Sequence, residues 1–103
     1  PATWAAWRAD PAWRPPAGET LEELTARVVA ALDDLAEEAA SADVVVVSHV
    51  SPIKAAVSWA IGAGPEISWR CFVAQASVTR VATGAGRPSL HSFNEIHHLD
   101  GID

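Results

Sequence analysis

The stretch Asp43-Val44-Val45-Val46-Val47-Ser48-His49 decides the fold that the sequence predicts. Four consecutive β-branched residues favour extended backbone, and the run shows no alternation of apolar and polar side chains. A strand that is apolar on both faces belongs in the middle of a sheet covered by helices on both sides, usually a parallel sheet. The run therefore predicts a buried central strand that ends at His49.

A helix is predicted on each side of this strand. Thr20 and Glu23 have the spacing of a capping box, and an apolar stripe follows at intervals of three or four residues. This pattern predicts a helix that runs to about Ala40. After the strand, Ser51 is expected to cap a second helix, with Pro52 at its first position. A helix, a short turn and a buried strand make half of an α/β repeat.

The remaining sequence predicts a hairpin and a separate opening segment. Residues Arg70–Thr83 and Ser89–Asn94 favour strands, joined by a turn at Gly84–Pro88. Residues 1–18 are rich in tryptophan and proline, whereas 19–103 form the α/β portion. A chain of 103 residues suits one small domain.

Three tryptophans lie close together in the opening segment. Trp4 and Trp7 are one helical turn apart, which favours a short helix, and Trp13 follows soon after. Such a group could form a stacking platform for a sugar. Large aromatic side chains more often cover an edge of the core.

Composition narrows the classes of function. The net charge is −6, and no lysine or arginine cluster is present to neutralise a row of phosphates, so nucleic-acid binding is not expected. No apolar stretch approaches the ~18 residues that cross a bilayer, so no membrane partner is expected either. Cys71 is the only cysteine, and no basic-then-apolar leader opens the sequence. These features fit a cytoplasmic protein.

His49 is the first candidate functional residue. Ligands of open α/β sheets lie outside the carboxyl ends of the strands, where His49 is predicted. The next helix begins within two or three residues, so its free N–H groups and positive dipole end lie close by, as in phosphate sites. From its position alone, His49 has two possible interpretations: a histidine that contacts phosphate, or one that caps the strand.

The sequence around His49 resembles a known family. The segment Val46–Lys54 (VVSHVSPIK) is similar to the second-histidine motif of the histidine phosphatase superfamily, also called phosphoglycerate-mutase-like. The resemblance continues in order along nearly the whole chain, in the segments Pro15–Thr20 with Arg27, Ser77–Thr79 and Asn94–Leu99. The motif around His49 is most similar to actinobacterial members, including acid phosphatases fused to ribonuclease H and sugar-phosphate phosphatases.

The resemblance implies a fold and a reaction. The fold would be α/β, part of a three-layer α/β/α domain with a mostly parallel sheet. The reaction would be hydrolysis of a phosphorylated small molecule through a phosphohistidine, without a cofactor or metal. His49 would be the second histidine that stabilises the transferring phosphoryl group, helped by the Val50 N–H. Glu19 would lie near the mouth of the site as a substrate contact.

The chain departs from the family pattern in one respect. It contains no Arg-His-Gly segment, so the nucleophilic histidine has no counterpart among these 103 residues. We therefore expect a C-terminal portion that lacks the N-terminal strand with the nucleophile and is inactive alone. A missing N-terminal half or a second chain would complete the sheet and remove the exposed edge of the valine strand.

Three alternatives stay open. One is a metal site, although adjacent histidines do not easily face one ion together; it would use His91, His97, His98 and Asp100. A second is an interaction module that keeps the fold without catalysis. A third is a phosphoglycerate-type mutase, which we rank below a phosphatase because nothing indicates protection of a phosphorylated intermediate from water.

Overall fold

The computed structural model describes residues 2–84 and 86–102. The described residues form three α-helices, two short 3₁₀ segments and one antiparallel strand pair within extents of 44 × 37 × 21 Å. In chain order these are α1 (Ala2–Ala9), α2 (Leu21–Ala39), α3 (Val50–Ile61), a 3₁₀ segment (Pro65–Trp69), β1 (Val78–Ala82), β2 (Ser89–Glu95) and a 3₁₀ segment (His97–Leu99).

Helix α2 begins as its sequence predicts. The Thr20 side chain accepts a hydrogen bond from the Glu23 N–H at 3.0 Å, and the Glu23 carboxylate accepts one from the Thr20 N–H at 2.9 Å. This capping box satisfies two backbone donors that the first turn leaves free. The helix ends at Ala39, one residue before the predicted end, and Ala40 is its C-cap.

Helix α3 begins earlier than predicted. His49, not Ser51, is the N-cap, with extended backbone at φ −128° and ψ 172°. The His49 carbonyl accepts a hydrogen bond from the Ile53 N–H at 3.0 Å, so the helix begins at Val50. Pro52 consequently occupies the third helical position, where a missing N–H still costs nothing. Gly62 ends the helix in the left-handed conformation that glycine adopts without strain.

The core lies where α3 meets α2 and the first 3₁₀ segment. Its buried apolar residues are few and mostly small: Leu21, Ala55, Val57, Ala60 and Val73. Two polar contacts join the elements across it. The Trp59 indole N–H donates to the Asp33 carboxylate on α2 at 2.9 Å, and Lys54 Nζ donates to the Ser68 carbonyl at 2.8 Å.

The predicted central strand at Val44–Val47 does not pair within this chain. Among the described residues the sheet contains β1 and β2 alone, and no backbone group of residues 43–48 hydrogen-bonds to another backbone group. Val45 and Val47 are 87 % and 92 % exposed. Residues 44–47 therefore form no buried strand within the described chain, because a strand is buried only where neighbours cover it, and their burial in a completed sheet stays a prediction.

The hairpin is confirmed, but its first strand is shorter than predicted. Residues 70–77 are irregular, and β1 contains only Val78–Ala82. The register pairs Val78 with Glu95 and Ala82 with Ser89, with two irregularities where β2 has an extra residue. The predicted turn at 84–88 includes Ala85, which lies outside the described residues.

Helix α1 forms as predicted, but the third tryptophan that packs against its two rings is not the one that the sequence suggested. The rings of Trp4 and Trp7 pack edge to face on Trp69, at centroid distances of 5.4 and 4.9 Å, and on each other at 5.5 Å. The third ring of the cluster is thus Trp69 and not Trp13. Because the rings meet one another edge to face, the cluster fastens α1 to the 3₁₀ segment and presents no flat stacking platform.

The capping box gives a test of how α2 is stabilised. We expect Thr20→Ala to lower the free energy of unfolding by about 1 kcal/mol, because it removes the acceptor of the Glu23 N–H. Thr20→Ser should retain most of that stability. Urea unfolding followed by tryptophan fluorescence measures both. Thr3→Ala on the exposed face of α1 is the matched control, and an equal loss in this control would contradict the role of the cap.

Candidate functional site

His49 stands at the junction of the extended segment and helix α3. Its side chain is exposed, and among the described residues it makes no hydrogen bond that caps the helix. The reading of His49 as a strand-capping residue therefore has no support in its side-chain contacts. Its backbone caps the helix through the carbonyl, which leaves both ring nitrogens available to a ligand.

The first turn of α3 supplies further donors. The N–H groups of Val50 and Ser51 have no intrahelical acceptor, because the first intrahelical bond comes from Ile53, and Pro52 has no N–H. The first turn contains no acidic residue that would repel an anion. An imidazole and two backbone donors at a positive helix end form an arrangement that can hold a phosphate group.

A large open groove runs beside His49. Its volume is about 1310 Å³, and its walls are one face of α2 from Arg27 to Ala39, the segment 42–50, part of α3, and residues 73–84. Ligand pockets usually measure about 300–1,000 Å³. The groove thus exceeds what a small substrate fills, and its valine-rich wall suits packed polypeptide as well.

Glu19 is paired with an arginine of α2. Arg27 donates to both Glu19 carboxylate oxygens, from Nη2 at 2.7 Å and from Nε at 3.3 Å. The hydrogen bond to Glu19 raises the pKa of Arg27. Glu19 therefore contacts Arg27 in this structure, and Arg27 in turn lines the groove. Sequence spacing could not reveal the pair, because Glu19 lies in a loop before the helix.

A second ion pair fixes the loop before α2. The Arg14 guanidinium contacts both Glu23 carboxylate oxygens, at 2.7 and 2.9 Å, and donates to the Gly18 carbonyl at 3.2 Å. The hydrogen bond from Arg14, aided by the Thr20 N–H, lowers the pKa of Glu23 to about 2. Glu23 is thus engaged at the helix start, and Glu19 in the same loop is held close to α2.

Asn94 and His98 fasten the groove wall at residues 74–77. Asn94, in the left-handed region at φ +57°, accepts the Ala74 N–H on its side-chain oxygen at 2.8 Å. The His98 Nε2–H donates to the Ala76 carbonyl at 2.8 Å. Asn94 was noted in the sequence only as part of a motif. Its preference for left-handed backbone is the one signal that could have indicated its role.

The alternative of a metal site is not supported by the structure. Among residues 2–84 and 86–102, no group of three or more histidine, cysteine or acidic side chains is placed to hold a metal ion. The His98 ring is engaged with Ala76, and His91 lies exposed in β2.

The comparisons with known proteins decide the family. Residues 1–96 match the family model described as histidine phosphatase superfamily (branch 1). The chain belongs to this superfamily. The family match includes His49, Val50 and Glu19 without assigning them roles. A search of curated proteins finds no match.

A solved structure shares the fold of this chain. The chain is similar to a mutant of phosphoserine phosphatase from Entamoeba histolytica in complex with phosphoserine, with 24 % identity and a TM-score of 0.71. The alignment covers 80 % of this chain and 42 % of that structure. The chain therefore spans less than half the length of this neighbour and shares the fold of that part. No helix in the described residues has the length and apolar character needed to cross a membrane.

The depressed pKa of Glu23 predicts a pH dependence of stability. Because this pKa is about 2 when folded against an ordinary 4.5, the contribution of Glu23 is complete above pH 4.5 and is lost as the pH falls toward 2. We expect Glu23→Gln to remove part of the acid-induced loss of stability in this window. Urea unfolding at several pH values measures it. Glu22→Gln is the neighbouring control, and equal curves for the two variants would contradict the prediction.

Proposed function

We propose that this chain forms the His49 side of a phosphatase site that hydrolyses phosphomonoesters of small molecules. The observation that carries the proposal is the geometry at His49. An exposed imidazole lies directly before a helix whose first two N–H groups, those of Val50 and Ser51, have no acceptor among the described residues. Membership of the histidine phosphatase superfamily supports the same reaction. The form of the motif around His49 favours the acid-phosphatase type.

The reaction would proceed in two steps. The imidazole of a nucleophilic histidine attacks phosphorus, a P–N bond forms, the P–O ester bond breaks, and a carboxylic acid gives its proton to the leaving oxygen. Water then attacks the phosphohistidine and gives a proton to the carboxylate, the P–N bond breaks, and inorganic phosphate leaves with the imidazole and the carboxylic acid restored. His49 and the Val50 N–H would stabilise the charge on the phosphoryl oxygens in both steps.

The nucleophile and the acid would come from outside these 103 residues. We infer that a preceding half of the polypeptide, or a second chain, supplies an Arg-His-Gly segment and the strand that carries it. The unpaired segment 43–48 and the groove of about 1310 Å³ beside it support this proposal, since they leave both backbone groups and an apolar wall uncovered. The complete domain would then have the three-layer α/β/α architecture.

Glu19 would contribute to substrate binding through Arg27. Its two carboxylate oxygens are occupied by the guanidinium, so a direct contact with an anionic substrate is disfavoured. The pair instead holds Arg27 at the wall of the groove, and its two contacts to Glu19 use Nε and Nη2, not Nη1. This arrangement would suit recognition of a polar part of the substrate away from the phosphate.

The free thiol of Cys71 is compatible with a cytoplasmic location.

Hydrolysis of p-nitrophenyl phosphate tests the proposal. The sample is the encoded polypeptide in which an Arg-His-Gly segment precedes these residues. We expect His49→Ala to lower kcat by about 10²–10³, the usual effect of removing one donor to a developing oxyanion. His91→Ala, at an exposed strand position, should leave kcat unchanged.

Three results would contradict the proposal. Equal rates for the His49→Ala variant and the unchanged protein would remove His49 from the mechanism. Absence of hydrolysis in the unchanged protein, with phosphate still bound, would favour the alternative of an interaction module. Transfer of the phosphoryl group to a second hydroxyl in place of water would favour the mutase.

A further inference from the structure

Residues 74–77 form a reverse turn directly before strand β1. The Ser77 N–H donates to the Ala74 carbonyl at 3.3 Å, and Ala76, the third residue of the turn, has a positive φ of 56°. A type II turn requires a positive φ at this position and normally has glycine there. Alanine adopts this conformation against a steric penalty, so contacts from outside the turn must hold it in place.

The end of β2 and the 3₁₀ segment after it supply these contacts. The Asn94 side-chain oxygen accepts the Ala74 N–H at 2.8 Å, and the Asn94 N–H donates to Thr79 Oγ1 at 3.2 Å. The His98 Nε2–H donates to the Ala76 carbonyl at 2.8 Å. All three hydrogen bonds lie within the described chain, so the conformation of the turn does not depend on what covers the chain elsewhere.

The turn lies on the wall of the same groove as His49. A strand that fills the groove can pair with β1 from Val78 onward. It cannot continue along the turn, because the Ala74 and Ser77 N–H groups and the Ala76 carbonyl are already bonded. The turn therefore lies beyond the end of such a strand and stays open to a ligand in the groove.

The turn presents unused hydrogen-bonding groups to the groove. Gln75 and Ala76 are exposed, both line the groove, and their N–H groups have no backbone acceptor among the described residues. The Gln75 side chain adds an amide with donors and an acceptor. None of these groups is charged. Neutral donors beside a neutral acceptor match a hydroxyl group, which both donates and accepts a hydrogen bond.

We propose that Gln75 determines specificity by binding a hydroxyl group of the substrate, and that Asn94 is the positioning residue that holds the turn for this contact. The substrate class is accordingly a phosphomonoester of a polyhydroxy compound. This inference rests on the proposed phosphate site at His49, since one groove must hold the phosphoryl group and the hydroxyl-bearing remainder together.

Binding of two phosphonates tests the role of Gln75. Dihydroxybutylphosphonate and butylphosphonate share the anionic group and the carbon chain, resist hydrolysis and differ only in the hydroxyl groups. The sample is the encoded polypeptide in which an Arg-His-Gly segment precedes these residues, and calorimetry measures Kd. We expect the dihydroxy compound to bind about three- to tenfold more tightly, the usual effect of one hydrogen bond. Gln75→Ala should remove this preference and bind butylphosphonate as before.

Variants of Asn94 separate positioning from a merely structural role. Asn94→Ala should also remove the preference, whereas Asn94→Asp keeps an acceptor for the Ala74 N–H and should retain most of it. A structural role alone would weaken the binding of both phosphonates equally and leave their ratio unchanged. Ser89→Ala, at an exposed position of β2, is the matched control and should alter neither affinity.

Three results would overturn this inference. An unchanged preference in Gln75→Ala would remove Gln75 from substrate binding, and equal affinities in the unchanged protein would remove the hydroxyl contact altogether. Both results leave the proposed hydrolysis intact, because the p-nitrophenyl phosphate assay measures it separately. Failure of both phosphonates to bind would contradict the phosphate site at His49 and this inference with it.

Discussion

The need to satisfy the backbone of residues 43–48 is the constraint on which the rest of the structure depends. Helix α2 leads into this segment and α3 leaves it, so both ends are fixed by the packing of the two helices. Its carbonyls and N–H groups nevertheless have no backbone partners in the described chain. Uncompensated groups of this kind become costly once water is excluded, so the segment can be buried only together with a partner strand.

The same junction positions the groups that we propose to bind phosphate. His49 ends the extended segment and begins α3, which brings its imidazole beside the free Val50 and Ser51 N–H groups without any long-range arrangement. A phosphate site built in this way needs only a strand end and a helix start. In the proposed mechanism the nucleophile comes from another strand, and the groove beside His49 is where we propose that this strand packs.

The sequence predicted correctly those features that depend on residues close to one another in the chain. The Thr20–Glu23 capping box, the apolar stripe of α2 and the hairpin at β1 and β2 were readable because each depends on neighbours in sequence. The valine run could not be placed in a sheet from sequence alone, because strand pairing depends on partners that are distant in sequence or lie outside these residues. The Glu19–Arg27 pair and the Asn94 contact to Ala74 escaped prediction for the same reason, since each joins a loop to a distant element. At the candidate site, His49 was identified by position and motif, whereas its capping role through the backbone was assigned to Ser51.

Binding of inorganic phosphate to the 103-residue chain tests the assignment of His49 most directly. Nuclear magnetic resonance can follow the imidazole signals of the four histidines together with the backbone amides during a titration at constant ionic strength. We expect saturable shifts at the His49 ring and at the Val50 and Ser51 amides, with His91 unaffected. Shifts of similar size at all four histidines, or none at His49, would contradict it.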